Sequence, residues 1–533
     1  MIKKLLPVIL IALMACQSTK KLNESVTKVH STEALTEDID YLVDRLERFH
    51  PRLYDYIAKE EFYNKVDDYK KGLTPMTSRE FFVYIYPLVS EIKQGHLALR
   101  PVFPKRDRKE RKRYRKATNQ FNNIDFKWIE NDIYVENTYG DLDSLLVGSR
   151  LVAVDSINAD ALFDKWETKV TSDGYNTTFQ PHLIAESILS LYRYDVGRTD
   201  SINLTLEKGD SLFTKQLKIV FKDEGAEEKN KDSTGTNAPK KEPVKLSRAE
   251  KKKKKQQKKE KKRDEWKRGY SSRTKQDTRE FRLVGKDSGI AYLRIRSFDG
   301  WYKWSKRFYR ETFAKIDSLD SKHLILDLRD NTGGSLKEIG ELYGFLAKDE
   351  FTFLNPMETK TRFIATTSMW SGNPTFVGNF FKALATPVTV SYDLIRSKKE
   401  DGTFYYKTKY SKETEPKETA FDGDIYVLIN GLSFSASSIL STNLYGSKRA
   451  TFIGEETGGA FNGTVAGVSQ TKYLPNTKVY LPLWLMNLDA PYKKEPKGYG
   501  IQPDVLLQPK LEDFLVGKDT VLNWTIEVIE SAE

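Results

Sequence analysis

The sequence contains little cysteine, little histidine and none of the usual cofactor motifs. Only one of its 533 residues is a cysteine, Cys16, and only five are histidines. A single cysteine excludes disulfides within the chain, so this thiol must have another use. Metal-ligand clusters, phosphate loops and dinucleotide fingerprints are all missing from the sequence. We therefore expect no cofactor and no metal.

Long apolar runs are also missing, apart from one at the N-terminus. The segment MIKKLLPVILIALMACQ has a basic start, an apolar run too short to span a membrane stably, and small residues before Cys16. It predicts a signal peptide at 1–15 and a tether at 16–35. The run Leu13 to Cys16 resembles a bacterial lipobox, which implies a lipid anchor on Cys16 and a place in the cell envelope, facing the periplasm or the cell surface. The alternative is an incidental cysteine in an ordinary signal peptide.

The excess of positive over negative charge lies in two short stretches. The net charge is +12, but residues 240–263 carry +11 and residues 105–116 carry +7, which leaves the rest of the chain at −6. The longer stretch has almost no apolar residues and predicts a solvated linker or an isolated charged helix. Aromatic residues are nearly absent from it, so we expect no specific binding to nucleic acid. Contact with anionic lipid or another polyanion is the open alternative.

Three short motifs each follow a strand-like apolar run. DLRDNTGGS (327–335) contains the pair Gly333 and Gly334, whose backbone N–H groups can face a developing negative charge. NGLSFSASSIL (430–440) has the strand-turn-helix pattern of a nucleophile elbow, and GEETGGAFNG (454–463) follows a third strand-like run. Taken singly, such motifs are also typical of tight turns and helix caps.

Together the three motifs resemble the tail-specific (C-terminal-processing) serine peptidase family, which includes the tricorn core and the repeats of interphotoreceptor retinoid-binding protein. The resemblance implies a layered α/β core of the ClpP/crotonase type, with an N-terminal helical cap and a PDZ-like module. It also implies an envelope serine endopeptidase that hydrolyses peptide bonds through an acyl-enzyme. The alternative is an inactive protein on the same scaffold that binds peptides or apolar ligands.

The family pattern identifies Ser435 as the nucleophile, because it is the first serine of an SAS sequence at the start of a helix. Ala436 would then provide one N–H to the oxyanion, and the Gly333/Gly334 turn the other. A serine at a helix N-terminus lies among unpaired N–H groups, which independently favours an oxyanion there. We expect Ser433 to cap the helix.

The general base must be a histidine if the resemblance holds. In the Ser-Lys branch of the family a lysine follows the GExTxG segment, whereas this chain has Ala460. The tricorn-like branch uses a Gly-His pair from an N-terminal helical segment, and Gly95-His96 matches it. His50 is the rival, although its His-Pro context is more typical of a structural turn.

The acid that orients the histidine is harder to place. In KGYGIQPDV (497–505) the family usually has a glutamate three residues before the second glycine, but this chain has Lys497. Glu495 is the nearest glutamate, and Asp489 is the fallback. Glu455 and Glu456 are expected to be turn residues.

Apolar spacing divides the chain further. IDYLVDRLERF and REFFVYIYPLVSEI predict amphipathic helices, SINLTLEKG and KQLKIVF predict a hairpin, and strand-like and helix-like runs alternate after residue 289, with VTVSY (388–392) among the strands. A PDZ-like module would bind peptides at a sheet edge. The predicted units are a helical domain at 36–103, the PDZ-like module at 120–222, a Lys-rich linker at 223–275, a peptidase core at 280–512 and a C-terminal helix at 513–533.

Overall fold

A computed structural model of the chain describes residues 19–221, 247–372 and 376–532. The predicted signal peptide, Cys16 and much of the predicted linker lie outside the described residues. Among the helices within these ranges, none is both long and apolar enough to cross a bilayer.

The described helices, numbered in chain order, are α1 (Thr19–Thr27), α2 (Thr32–Phe49), α3 (Lys59–Lys71), α4 (Ser78–Ser90), α5 (Arg108–Lys116), α6 (Ala159–Glu167), α7 (Phe179–Val196), α8 (Arg248–Arg268), α9 (Tyr302–Ser318), α10 (Leu336–Leu346), α11 (Ile364–Met369), α12 (Phe376–Arg396), α13 (Ala436–Gly446), α14 (Leu511–Leu515) and α15 (Thr520–Ala532).

The strands are β1 (Val29–His30), β2 (Met76–Thr77), β3 (Thr118–Asn119), β4 (Ile124–Ile129), β5 (Asp132–Thr138), β6 (Arg150–Val154), β7 (Ile157–Asn158), β8 (Ser201–Lys208), β9 (Ser211–Val220), β10 (Arg279–Val284), β11 (Ile290–Ile295), β12 (His323–Asp327), β13 (Phe351–Thr352), β14 (Met357–Thr359), β15 (Ser397–Glu400), β16 (Thr403–Tyr406), β17 (Glu413–Thr414), β18 (Asp424–Ile429), β19 (Ala450–Gly454), β20 (Thr464–Tyr473), β21 (Tyr480–Leu488) and β22 (Val505–Leu506).

The N-terminal region is helical, as the apolar spacing predicted. Helices α2 and α4 cover the two predicted segments. Helix α4 begins with a capping box, in which the Thr77 hydroxyl accepts from the Glu80 N–H and the Glu80 carboxylate accepts from the Thr77 N–H. The chain after α4 leads directly to Gly95 and His96.

The middle region is an antiparallel sheet in the order β3-β9-β8-β6-β5-β4, with β7 paired to β6. The predicted hairpin is confirmed, since β8 and β9 pair antiparallel from Ser201↔Lys218 to Lys208↔Ser211. The sequence did not predict α7, which packs against β4 and α6.

Helix α8 contains most of the Lys-rich stretch. It begins with a capping box between Ser247 and Glu250 and ends at Gly269, whose φ of 67° is the left-handed conformation that favours glycine. The lysines from Lys252 to Lys262 are exposed, and near the C-terminal end Trp266 packs against Trp304 of α9 with ring centroids 5.5 Å apart. The described part of the predicted linker is therefore an exposed charged helix that contacts the core at one end.

The core sheet has six strands in the order β10-β11-β12-β18-β19-β22, and all pairings except β10-β11 are parallel. Strands β12 and β18 are adjacent and in register from His323↔Asp424 to Asp327↔Leu428. Because parallel strands end at the same sheet edge, the first two motifs leave the sheet side by side.

A second sheet, in the order β15-β16-β14-β21-β20, carries the long hairpin of β20 and β21. This hairpin brings Thr464 and Trp484 toward the ends of β12 and β18. The apolar segment KVYLPLWLM (478–486) lies mainly in β21.

The prediction of a strand at 388–392 is wrong, because these residues lie in α12. The alternation of valine, threonine and tyrosine favours a strand only when one face is buried against a sheet, and here Val388 is 72% exposed. Contacts between α12 and α11 stabilise the helical conformation instead. The Asp393 carboxylate accepts from the N–H groups of Ala365 and Thr366, both at 2.9 Å, and the Thr389 hydroxyl bonds to the Thr366 hydroxyl.

Candidate active site

The two motifs at the ends of β12 and β18 are joined by side-chain hydrogen bonds. The Asp330 N–H donates to the Asn430 side-chain oxygen at 2.9 Å, and the Asn430 amide donates back to the Asp330 carboxylate at 2.7 Å. The Ser433 hydroxyl donates to the Leu328 carbonyl at 2.8 Å. Ser433 therefore bridges the two turns, and the prediction that it caps the helix is wrong. These contacts fix the distance between the turns.

An ion-pair network holds the base of the first turn. Asp327 is fully buried at the end of β12 and accepts two hydrogen bonds from the Arg329 guanidinium, which also binds Asp519. Tyr292 donates to the same carboxylate at 2.8 Å. Arg329 and Arg294 hold the pKa of Asp327 well below its usual range, although burial opposes them.

Ser435 is the residue at which β18 turns into α13. It occupies the N-cap position with φ 57° and ψ −118°, and its side chain makes no capping bond. A residue with a Cβ rarely adopts this conformation, which characterises the strained turn of a nucleophile elbow. The hydroxyl is thereby held outside the helix and left to react.

The glycine turn lies against Ser435. A Cβ placed on Gly333 would lie 2.7 Å from the Ser435 Cβ and 2.9 Å from the Ala436 N, and the φ of Gly333 is 107°. The Gly333 N–H donates to the Asn331 side chain at 2.9 Å. Within the described ranges, the N–H groups of Gly334 and Ala436 donate no hydrogen bond. Of the three predicted oxyanion residues, these two therefore have N–H groups free to donate.

The structure brings His96 to Ser435. The His96 Nε2 lies 2.9 Å from the Ser435 Oγ, although the two residues are far apart in the sequence. The imidazole lies between the rings of Phe434 and Trp484, with centroids 4.7 and 5.5 Å away. The Trp484 Nε1 donates to the His96 carbonyl at 2.9 Å. Position 95 requires glycine, because a Cβ there would clash with the Phe434 ring at 2.6 Å.

Burial lowers the pKa of His96 to about 4. The apolar surroundings disfavour the charged imidazolium, so the ring is neutral at pH 7. A neutral imidazole with a hydroxyl 2.9 Å from Nε2 can accept a proton from that hydroxyl. The pair has the geometry of a nucleophile and its base.

The other ring nitrogen contacts residues that sequence reasoning missed. The His96 Nδ1 lies 3.1 Å from the Thr464 Oγ1. Asp173, only 1% exposed, lies behind this pair and accepts from the Gly95 N–H at 2.7 Å through Oδ1. Burial raises the pKa of Asp173 to about 6, against weaker opposition from the Gly95 N–H, the Thr464 hydroxyl and the Ala460 N–H. The Oδ2 atom makes no hydrogen bond of 3.5 Å or less with any described residue.

The acids expected from the sequence do not lie at the histidine. Glu495 is exposed and forms no hydrogen bond with His96 or Thr464 among the described residues. Asp489 accepts from the Asn355 amide at 3.1 Å and pairs with Lys493. The expectation for Glu495 assumed a local shift of its loop, whereas the loop directs this side chain to solvent.

The third motif packs beside the turn of Ser435. A Cβ on Gly459 would lie 2.2 Å from the Ser438 Oγ and 3.3 Å from the Ser435 N. Ala460 is 3% exposed, so the position of a dyad lysine is filled by a small buried side chain. Glu456 accepts from the Gly500 N–H at 2.6 Å, which makes it a loop-holding residue.

The remaining histidines lie elsewhere. His182 pairs with Glu455 at 3.0 Å, and His30 bonds to the Ser78 hydroxyl at 3.2 Å. His50 is 1% exposed, and burial lowers its pKa to about 3. His323 begins β12 and lies 3.6 Å from Asp424. In the part of the chain that the structure describes, no three His, Cys, Asp or Glu residues are grouped to hold a metal.

Comparison with known proteins gives a family for the core. Residues 289–507 match the model of peptidase family S41. Two solved structures of CPAF resemble the whole fold. Mature CPAF has 13% identity and a TM-score of 0.52, covering 91% of this chain and 94% of that one. Mature CPAF complexed with lactacystin has 12% identity and a TM-score of 0.54, covering 93% and 97%. A comparison with curated sequences gave no match.

Proposed function

We propose that the chain is a serine endopeptidase of peptidase family S41, whose model its residues 289–507 match, and that Ser435 and His96 carry out the hydrolysis. The observation that carries the proposal is the 2.9 Å contact between the Ser435 Oγ and the His96 Nε2, made by a serine in a strained turn. Substrates are peptides or proteins, and the reaction passes through an acyl-enzyme.

In the proposed mechanism the Ser435 Oγ attacks the scissile carbonyl while the His96 Nε2 takes the hydroxyl proton. The carbonyl π electrons move to oxygen, and the tetrahedral intermediate forms. His96 then gives the proton to the leaving amine as the C–N bond breaks, which leaves the acyl group on Ser435. Water attacks the ester in the same way and releases the acid and the serine.

Thr464 and Asp173 orient the base in this proposal. A proton on the His96 Nδ1 can be donated to the Thr464 oxygen, and the Thr464 hydroxyl can face the Asp173 carboxylate. This arrangement leaves the Nε2 lone pair directed at Ser435, which is the tautomer that a general base needs. The carboxylate also lowers the energy of the imidazolium that forms in the transition state.

The free N–H groups of Ala436 and Gly334 are the proposed oxyanion donors. Ala436 is the first residue of α13, where the helix dipole adds to the field of its N–H. The close approach of Gly333 to Ser435 supports this role, because it brings the second turn to the reacting atom.

The inactive-binder alternative is not favoured. It rested on the missing lysine and the displaced glutamate, and both gaps are filled in this chain. His96 supplies a base without a lysine, and Thr464 with Asp173 supplies an orienting contact without the glutamate.

The test is labelling by a fluorophosphonate probe, which phosphonylates an activated serine. Wild-type protein should react and lose peptidase activity in step with labelling. Ser435→Ala should lose labelling and lower turnover by several orders of magnitude. Ser437→Ala is the matched control, because Ser437 lies two residues after Ser435 and its buried hydroxyl bonds to no described group. Equal loss in both variants, or none in Ser435→Ala, would contradict the assignment.

We further propose that the protein is a lipoprotein of the bacterial cell envelope, anchored through Cys16 after removal of 1–15. This proposal is supported by the lipobox-like sequence Leu13 to Cys16, which ends at the only cysteine of the chain. Capture of substrate peptides by the PDZ-like module at 120–222 is a second proposal. It is supported by β4, which lies at the edge of that sheet.

A further inference from the structure

Helix α12 exposes an unusual amount of apolar surface. Phe381 is 63% exposed, Leu384 62%, Val388 72% and Ile395 83%. These residues follow one another at intervals of three, four and seven positions, so they form one stripe along the helix. Val377, Phe380 and Tyr392 are also exposed and extend it. Soluble proteins rarely leave contiguous apolar patches of this kind without a binding role.

The polar side of α12 faces the protein. Lys382 donates to the Ser371 carbonyl at 2.8 Å, the Thr389 hydroxyl bonds to Thr366, and Asp393 is fully buried where it accepts two N–H groups of α11. A surface helix normally buries its apolar stripe and exposes its polar face. Helix α12 has the opposite orientation, which indicates an apolar environment on its outer side.

The stripe is broad. At about 100° per residue, the positions from Phe380 to Tyr392 cover an arc of about 120°. A seam of a two-stranded coiled coil uses only the a and d positions of each heptad and is narrower. A broad apolar face is also typical of a helix lying in a membrane interface.

The position of α12 fits that environment. The chain entering α12 bonds to the end of β20, where the Thr471 N–H donates to the Ser371 hydroxyl at 3.1 Å. The turn that follows β20 contacts α1, since the Ser25 hydroxyl donates to the Asn476 carbonyl at 3.4 Å. Helix α1 begins at Thr19, three residues after Cys16. The start of α1 and the start of α12 are therefore linked through the end of β20 and the turn after it.

Cations accompany this region. Burial and the positive charges of Arg45 and Lys382 lower the pKa of Lys472. The three cations therefore lie near one another, although Arg45 also pairs with Asp44 at 2.8 Å.

We propose that the outer face of α12 lies in the interfacial layer of an anionic phospholipid bilayer and orients the anchored peptidase on it. The inference rests on the proposed lipid anchor at Cys16. The apolar stripe would enter the boundary between headgroups and acyl chains, while Lys472 of the neighbouring strand β20 would lie near the anionic headgroups.

The single cysteine allows a direct test. In the full, lipidated chain the Cys16 sulfur is a thioether, so a thiol-reactive fluorophore labels only an introduced cysteine. Leu384→Cys places the label on the stripe. Leu212→Cys in β9, where the native leucine is 65% exposed, is the matched control on another surface. Both proteins are reconstituted in vesicles of phosphatidylglycerol and phosphatidylcholine, with and without brominated acyl chains.

We expect the label at Leu384→Cys to shift to the blue and to lose about half of its emission in brominated vesicles, with little change at Leu212→Cys. Equal emission at Leu384→Cys with and without bromine would overturn the proposal. So would quenching that depends on protein density and not on bromine, since that result assigns the face to a second copy of the chain.

The anchor is tested separately in the same experiment. Labelling of the wild-type chain would show a free Cys16 thiol and would refute the anchor. If the anchor is refuted in this way, Leu384→Cys is combined with Cys16→Ser and the double variant is mixed with the same vesicles. Bromine-dependent quenching there would still support the assignment of α12, and its absence would overturn it.

Discussion

Replacing Asp173 by Asn removes a negative charge from behind His96, the proposed general base, and changes little else. Asp173 Oδ1 accepts from the Gly95 N–H at 2.7 Å, and the amide oxygen of an asparagine can accept the same bond. The site of His96 should therefore keep its shape. What is lost is the carboxylate that stabilises the imidazolium through Thr464.

The expected size of the loss is that of one hydrogen bond donated by the Thr464 hydroxyl to the Asp173 carboxylate as the imidazolium forms. A hydrogen bond to a charged group contributes about 1.5–3 kcal/mol. At 1.36 kcal/mol per tenfold change, its loss should lower kcat/KM by about 10- to 100-fold. The loss should depend on pH, because the pKa of Asp173 is raised to about 6 and that of His96 is lowered to about 4.

The wild-type kcat/KM should therefore rise twice with pH. The first rise, near 4, comes from deprotonation of His96, and the second, near 6, from ionisation of Asp173. A histidine with an ordinary pKa of about 6.5 would give a single rise, through roughly pH 6 to 7.5. Burial moves that step to lower pH.

The assay is a pH profile of peptide hydrolysis from about pH 3.5 to 8.5, which covers both expected rises. Asp173→Asn should come closest to wild type near pH 5, where most of the wild-type carboxyl is uncharged, and should fall furthest behind it above pH 7. Thr464→Val should reproduce the loss, and Thr464→Ser should retain activity because it keeps the hydroxyl. If Asp173→Asn keeps both wild-type activity at pH 8 and the second rise, the orienting role is wrong.

Three further changes test other parts of the site and the proposed lipid anchor. Gly333→Ala should lower kcat by about 100-fold or more, since its Cβ would displace Ser435, whereas Gly209→Ala, also at positive φ but with open space around it, should leave kcat unchanged; equal kcat values would argue against the close approach. His96→Ala should abolish turnover as severely as loss of the nucleophile, whereas His50→Ala should mainly lower the free energy of unfolding, by about 2–4 kcal/mol, measured by urea denaturation. Cys16→Ser should release the protein from the membrane fraction or leave its signal uncleaved, and a mature mass that starts at residue 1 or 2 without a diacyl group would refute the anchor.

Ser435 and His96 could be selected from the sequence because each carries a local signal. The serine follows a buried strand and precedes a helix, and the histidine stands in a Gly-His pair after an amphipathic helix. Local patterns of this kind fix the backbone conformation of a few neighbouring residues, and that conformation is what places the side chain.

Thr464 and Asp173 carry no such signal. Asp173 lies in a loop of the middle region and Thr464 at the start of β20, so only the packing of three separate regions brings them to His96. Helix α12 shows the same limit. Its valines and threonine alternate as in a strand, and the contacts of Asp393 with α11 determine its conformation.

Because the register between β12 and β18 positions the two turns, the segment between the strands can change in evolution without changing the active site. The nucleophile turn and the glycine turn are set by one strand pairing and by the Asp330–Asn430 bonds. The intervening chain, 328–423, leaves the sheet after one strand and returns at the next, so elements beyond its first turn can lengthen without moving a catalytic atom. Helices α11 and α12 occupy this segment. A peptidase built in this way can acquire a new attachment surface while its chemistry stays fixed.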